Sequence, residues 1–126
     1  MKALFRYGFG PKQFELRDVP IPKCGKNDVV VEIKSVGICG SDVTTYFNGT
    51  KKGSTCIAGH EFAGMISQIG ENITEWHVGD RVVSDNTGYV CGKCYSCCTG
   101  FFANCIDRQL IGLHMDGGFA KSVRIP

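Results

Sequence analysis

Long hydrophobic runs are missing from this chain. No stretch approaches the roughly 20 apolar residues that a membrane-spanning helix needs. The amino-terminal "MKALFRYGFGPKQFEL" also has no apolar core of the kind that signal peptides carry, because Arg6 and Lys12 interrupt it. These absences predict a cytoplasmic protein without membrane contact, whose thiols stay reduced.

An excess of charge of one sign is missing too. The chain has 14 Lys and Arg against 12 Asp and Glu, a net charge of +2, and the two signs are intermixed. Without a basic stripe, nucleic acid is not an expected partner. The 126 residues, 43% of them hydrophobic and 21% charged, are typical of one globular domain with an ordinary core.

Cysteine is what the chain has in abundance, and the segment 91–105, "CGKCYSCCTGFFANC", holds five of the eight. Four of them follow the spacing C-x2-C-x2-C-x7-C: Cys91, Cys94, Cys97 and Cys105. Short C-x2-C steps are typical of thiolates that surround one tetrahedral zinc ion. Four thiolates leave no open position, so we expect a structural zinc lobe over residues 91–105 rather than a catalytic centre.

Two alternatives to this interpretation remain. The segment could instead carry a redox dithiol or unused thiols. Cys98 could replace Cys97 as a ligand in a shifted register, although the regular spacing favours Cys97. Cys24 and Cys56 are most simply free thiols, which behave as small apolar side chains.

Strands and turns dominate the local pattern. In "DVVVEIKSVGIC", residues 28–39, apolar and charged side chains alternate, with Val29, Val31 and Ile33 on one face. Four further segments resemble strands: "MKALFRY", "FAGMISQIG", "RVVS" and "GFAKSVRI". Seventeen glycines suit the corners of a β-barrel. One short helix is expected through "VTTYF", capped by Ser41 or Asp42.

A second chemical cluster surrounds "GHEFAG", residues 59–64. His60 and Glu61 are adjacent there, which by itself more often means a solvated pair in a turn. Together with Cys39 in "CGSD", they would supply a thiolate, an imidazole and a carboxylate, a three-ligand zinc set with a position left for water or substrate. Sequence separation alone does not show that the three residues meet.

The three motifs together resemble the zinc-dependent medium-chain dehydrogenases, a family of oxidoreductases that includes alcohol, sorbitol and threonine dehydrogenases. The resemblance rests on "GICGSD", "GHEFAGMISQIGENITEWHVGDRV" and the four-cysteine segment, and it runs from Met1 to Pro126. "CGSD" and "DGGFA" favour the polyol and threonine branch. The resemblance implies a mainly β fold, a GroES-like β-barrel with short helices and a zinc-binding lobe, that forms the catalytic domain.

The resemblance also implies roles for single residues. Cys39 and His60 match catalytic zinc ligands, and Glu61 matches a carboxylate that binds zinc directly in sorbitol-type enzymes and lies behind it in others; we favour direct binding. Asp42 matches the acceptor that orients His60, and Ser41 matches the hydroxyl that hydrogen-bonds the substrate alcohol. Cys91, Cys94, Cys97 and Cys105 match the ligands of the structural zinc.

Two departures from the family accompany the match. Thr44 stands where the family often has a proton-relay histidine, and the remaining histidines, His77 and His114, are expected on the surface or in loops. No G-x-G-x-x-G and no βαβ unit are found, so the Rossmann domain that binds NAD or NADP in the family is absent here. We therefore expect the 126 residues to be a fragment, inactive alone, with unpaired barrel edges.

The function expected from these observations is the catalytic domain of a zinc-dependent, NAD(P)-linked dehydrogenase of a secondary alcohol or polyol. The full-length protein is expected to be a homo-oligomer, and residues 43–47 and 110–115 are candidates for the lining of the substrate pocket. One alternative is a free-standing zinc-binding interaction module without catalytic activity. Another is a co-chaperonin-like scaffold, which would not need an open metal site.

Overall fold

The computed structural model describes all residues from Met1 to Pro126. The strands are β1 (Lys2–Arg6), β2 (Phe14–Asp18), β3 (Val29–Gly37), β4 (Cys56–Ile57), β5 (Glu61–Ile69), β6 (Arg81–Val83), β7 (Thr87–Tyr89), β8 (Gln109–Leu110) and β9 (Ser122–Ile125). The helices are α1 (Gly40–Asn48) and α2 (Tyr95–Cys98), and residues Phe102–Asn104 form one 3-10 turn. None of the helices has the length and hydropathy of a membrane-crossing segment.

Three antiparallel sheets form the body of the molecule. The largest has the order β6-β5-β3-β9, the second has the order β2-β1-β4, and β7 pairs with β8. A bridge between Ala3 and Ala120 links the first two sheets. The expected mainly β fold is confirmed, and β2, β6 and β9 are edge strands with a partner on one side only.

The core lies between these sheets, where Val31, Phe62, Ile66, Ile111 and Val123 form one buried cluster. Val29 and Ile33 pack against it, so the face predicted from the alternation in β3 is confirmed. A register shift between Val30 and Val31 interrupts that alternation, and both valines are buried.

Candidate metal and substrate site

Helix α1 positions Cys39 at its amino-terminal end. Cys39 is the N-cap residue, and its backbone N–H donates to Oδ2 of Asp42 over 3.1 Å. The prediction that Ser41 or Asp42 caps this helix was therefore wrong. The carboxylate of Asp42 accepts the N–H of Cys39 three residues earlier, in a capping box, so Cys39 is the cap residue.

The pairing of β3 with β5 brings the other two residues to Cys39. Glu61, the first residue of β5, pairs with Gly37, the last residue of β3, which lies two positions before Cys39. His60 precedes Glu61 and follows Gly59, which has a φ of +88°. The pairing of β3 with β5 therefore brings Cys39 close to His60 and Glu61, although about twenty residues separate them along the chain.

Cys39, His60 and Glu61 converge in the folded chain. The sulfur of Cys39, a ring nitrogen of His60 and a carboxylate oxygen of Glu61 all lie within 4.8 Å of one another. A thiolate, an imidazole and a carboxylate form a donor set that suits zinc, and three such donors leave a fourth position open. Cys39 and His60 are half-buried and Glu61 is exposed, so this position faces solvent.

Asp42 and Ser41 lie on opposite sides of the His60 ring. Oδ1 of Asp42 is 3.7 Å from Nδ1, and Oγ of Ser41 is 3.5 Å from Nε2. Burial raises the pKa of Asp42 above its ordinary value, whereas the N–H of Cys39 and the neighbouring His60 act in the opposite direction. A proton on Nδ1, facing Asp42, leaves Nε2 available for a cation beside the Ser41 hydroxyl.

Four sulfurs form a second cluster on the lobe at residues 91–105. The sulfur of Cys97 lies 3.5 Å from the sulfur of Cys94 and 4.0 Å from that of Cys91. The sulfur of Cys105 lies 3.6 Å from that of Cys91. Thiolates about 2.3 Å from one zinc ion at tetrahedral corners are about 3.8 Å apart, so the spacing fits zinc. It does not fit disulfides, whose sulfurs are about 2.05 Å apart.

Backbone N–H groups point at this cluster. The N–H groups of Cys91 and Cys94 donate to the sulfurs of Cys105 and Cys91, each over 3.4 Å. The backbone of Cys97 lowers the pKa of Cys94 to about 6, and burial raises the pKa of Cys97 to about 12. Of these two sulfurs, that of Cys94 therefore loses its proton more readily.

A cavity of about 340 Å³ opens beside His60, Ser41 and Asp42. Thr45 and the segment Leu110–Leu113 line it, so parts of both segments proposed as pocket lining do reach this cavity. Thr44 does not line the cavity, since its hydroxyl donates to the carbonyl of Gly40 over 2.9 Å.

The remaining histidines lie apart from both clusters, as expected. His77 is in an exposed loop near Asp80, and Nδ1 of His114 accepts the N–H of Leu110 within a turn. Two cavity-lining cations, Arg6 and Lys52, were missed by the sequence analysis. The only sequence signal for Arg6 is a charged residue directly after the apolar run at residues 3–5.

Comparison with known proteins agrees with this architecture. The family model described as "Alcohol dehydrogenase GroES-like domain" matches residues 25–126. An uncharacterized zinc-type alcohol dehydrogenase-like protein of Escherichia coli, YdjL, is 46% identical over 100% of this chain and 36% of its own length. Sorbitol dehydrogenase of Halalkalibacterium halodurans is 41% identical over 98% of this chain and 36% of its own length. L-threonine 3-dehydrogenase of Bacillus licheniformis is 40% identical over 100% of this chain and 37% of its own length.

Solved structures give the same result. A Sinorhizobium meliloti protein described as a zinc-binding dehydrogenase, with NADP bound, superposes with a TM-score of 0.89 at 32% identity, covering 99% of this chain and 36% of that one. Galactitol-1-phosphate dehydrogenase of Escherichia coli superposes with a TM-score of 0.87 at 31% identity, covering 99% of this chain and 36% of that one. The 126 residues thus span little more than a third of the length of these proteins.

Proposed function

The chain belongs to the alcohol dehydrogenase GroES-like domain family, and from this premise we propose that it forms the metal- and substrate-holding part of an NAD(P)-linked dehydrogenase. The proposed substrate is a secondary alcohol or a polyol. The observation that carries the proposal is the convergence of Cys39, His60 and Glu61 within 4.8 Å, with His60 also lining a cavity. The sorbitol and threonine dehydrogenases among the relatives support the substrate class.

We propose that residues 1–126 act as one GroES-like catalytic domain, with residues 91–105 as its structural zinc lobe. NAD or NADP would bind to a separate part of a longer protein, since the fingerprint G-x-G-x-x-G does not occur in these residues. The relatives, of which this chain spans about a third, are long enough to include such a part.

The residues of the site have separate proposed roles in alcohol oxidation. Cys39, His60 and Glu61 would hold zinc, which when bound supplies a Lewis acid that lowers the pKa of a substrate hydroxyl. Asp42 keeps the proton of His60 on Nδ1 and fixes the orientation of the ring. Ser41 faces Nε2 from the cavity side, where its hydroxyl can accept the alcohol proton and pass it to water.

The test is to count zinc in purified variants. With zinc supplied in excess we expect two zinc ions in the wild-type chain, one for each cluster, and without excess metal the ion at Cys39, His60 and Glu61 should be held partly or not at all. We expect one in Cys39→Ala and one in Cys94→Ser, and visible spectra after cobalt substitution identify which cluster is loaded. A wild-type chain that takes up no second zinc ion even from excess metal, and whose one zinc is lost in Cys94→Ser, contradicts the proposal and leaves a zinc-stabilised module without a catalytic centre.

Direct ligation by Glu61 needs its own comparison. If the carboxylate binds zinc, Glu61→Gln weakens metal affinity at the Cys39 cluster by at least about tenfold, because a charged ligand becomes a neutral one. Glu75→Gln, an exposed change outside both clusters, is the matched control and leaves affinity unchanged. Equal affinities in the two variants would mean that Glu61 does not help to hold the metal, and a metal–oxygen distance well beyond about 2.2 Å in the zinc-loaded chain would place Glu61 behind the metal rather than on it.

A further inference from the structure

Arg6 is a buried cation without an anionic partner. Arg6 is 2% exposed, and no other charged residue of the chain is buried. Among its guanidinium nitrogens, Nη2 donates to the carbonyls of Ser54 and Leu113 and to the sulfur of Cys56. Nε is buried and has no partner, and no carboxylate of the chain forms an ion pair with Arg6.

An unpaired buried charge is costly, because neither water nor a counter-ion stabilises it. Arg6 lines the cavity of about 340 Å³ that also reaches His60, so an anion in that cavity would supply the missing partner. Lys52 lines the same cavity and forms no ion pair with any carboxylate of the chain. The cavity thus presents two cations that the protein itself does not neutralise.

Hydrogen-bond donors complete the lining. Ser41, Thr45 and Thr50 also line the cavity, although the hydroxyl of Thr50 already donates to the carbonyl of Lys52, and Asp42 is the one acidic residue there. Asp42 is already engaged by the N–H of Cys39 and by His60, on the side of the three-ligand cluster. The two cations, Arg6 and Lys52, therefore outnumber the one acidic residue among those that line the cavity.

We propose that this cavity binds the phosphate group of a phosphorylated polyol, with the reacting hydroxyl directed toward Cys39, His60 and Glu61. The inference rests on the proposed dehydrogenase function and narrows its substrate class. A phosphate ester brings close to two negative charges and three strong acceptor oxygens, which match two cations and several hydroxyls. An uncharged polyol uses neither Arg6 nor Lys52, and a carboxylate carries only one charge. Ligand pockets start at about 300 Å³, so the cavity suits a small substrate of this kind.

The test measures binding of four probes to the zinc-loaded chain by calorimetry: sorbitol 6-phosphate, sorbitol, inorganic phosphate and L-threonine. We expect sorbitol 6-phosphate to bind at least about tenfold more tightly than sorbitol or L-threonine, because charge-assisted hydrogen bonds form only with the ester. We expect inorganic phosphate to compete with it. Equal affinity for sorbitol and its phosphate, or no binding of the ester, overturns the proposal.

Lys52→Gln and Lys51→Gln form the matched pair of variants. Both lysines are exposed, so neither change threatens the fold, but only Lys52 lines the cavity. We expect Lys52→Gln to weaken ester binding by at least about tenfold while Lys51→Gln leaves it unchanged. Equal losses in both variants would mean nonspecific attraction and overturn the proposal. Arg6→Lys, which keeps the charge, should retain more ester affinity than Arg6→Gln at matched thermal stability.

Cys39→Ala separates the phosphate subsite from the proposed metal centre. We expect this variant to keep binding inorganic phosphate, since Arg6 and Lys52 are unchanged. Phosphate binding that disappears in Cys39→Ala but survives in Lys52→Gln would place the anion on the metal and overturn the subsite. A chain that binds phosphate through Lys52 but holds no zinc at Cys39 refutes the dehydrogenase proposal alone.

Discussion

Adjacent residues in the lobe, Cys97 and Cys98, have different surroundings. The sulfur of Cys97 is buried 3.5 Å from that of Cys94. The sulfur of Cys98 is directed to the carbonyl of Lys93 over 3.6 Å, and the residue is exposed. The short helix α2 turns successive side chains in different directions, so only one of the two thiols can face the cluster.

The first prediction compares Cys94→Ser with Cys98→Ser. Cys94→Ser removes one of four ligands, so we expect loss of the lobe zinc and early proteolytic cleavage within residues 91–105. Cys98→Ser changes an exposed thiol outside the cluster and should leave both properties unchanged. Metal analysis and limited proteolysis measure the outcome. Zinc loss in Cys98→Ser would show that the register of the cluster is shifted.

Cys56 illustrates a thiol that is neither a ligand nor reactive. Burial raises its pKa to about 11, although the nearby Arg6 acts in the opposite direction. Because the folded pKa lies above the usual value of about 8.5, the folded state favours the protonated thiol. The stabilisation that this provides is complete below about pH 8 and is lost as the pH rises toward 11.

The second prediction concerns alkylation of the zinc-loaded chain by iodoacetamide at about pH 8. A pKa of about 11 instead of about 8.5 lowers the thiolate fraction by about 200-fold, and burial restricts access further. We expect Cys98 to be labelled at least about 100-fold faster than Cys56. Peptide mass spectrometry over time gives both rates. Comparable rates would mean that Cys56 is neither buried nor protonated in solution.

At the scale of elements, the turn before β5 sets the direction of His60. Gly59 has a φ of +88°, and a Cβ there would lie 2.7 Å from the ring of Phe119. The backbone N–H of Gly118 donates to the carbonyl of Gly59 over 2.8 Å, so the turn before β5 is packed against the segment before β9. Only glycine provides both the left-handed backbone and the space.

The third prediction follows from this packing. Gly59→Ala should lower metal affinity at the Cys39 cluster by at least about tenfold, because the clash with Phe119 displaces His60. Gly79→Ala is the matched control: Gly79 has a φ of +99° but no atom within 4 Å of its added Cβ. Backbone strain should cost each variant about 1 kcal/mol in unfolding free energy, and the clash with Phe119 should add to that cost in Gly59→Ala. Only Gly59→Ala should change metal affinity, as measured by competition with a zinc chelator.

At the scale of the whole molecule, the proposed hydride transfer needs more than the cluster of Cys39, His60 and Glu61. The nicotinamide must be held against the substrate carbon, and such positioning supplies several kcal/mol of barrier reduction. The metal site draws its three donors from two separated segments and faces solvent, whereas the lobe is local and closed. The two sites should therefore differ in affinity, with the lobe the stronger.

The fourth prediction is that the 126-residue chain alone is folded and retains the lobe zinc but forms no NADH or NADPH from alcohols. Because the coenzyme fingerprint is not among its residues, NAD(P) should bind weakly or not at all. Coenzyme absorbance with sorbitol, L-threonine and simple secondary alcohols measures turnover. Activity that scales with chain concentration through purification would contradict the prediction. Homo-oligomerisation of the full-length protein stays a prediction.

Local patterns were enough to predict much of the fold. Alternating side chains predicted β1, β3 and β9, and two shorter β-like runs predicted β5 and β6; the structure contains each of these strands. The short strands β2, β4, β7 and β8 were not predicted. The last three have two or three residues each, too few to show a period, and they are strands only because a partner pairs with them.

The sequence by itself determined the four-cysteine cluster, because its ligands lie within fifteen residues and a short loop brings them together at small entropic cost. It also located Cys39, His60 and Glu61 as chemically suitable groups. Only the tertiary structure decided that these three meet, since their meeting depends on the register of β3 against β5. The burial of Arg6 beside the same cavity was likewise decided in three dimensions, because it depends on contacts with Ser54 and Leu113, 48 and 107 residues away. No local pattern encodes contacts across such separations, so they follow only from the packing of the whole chain.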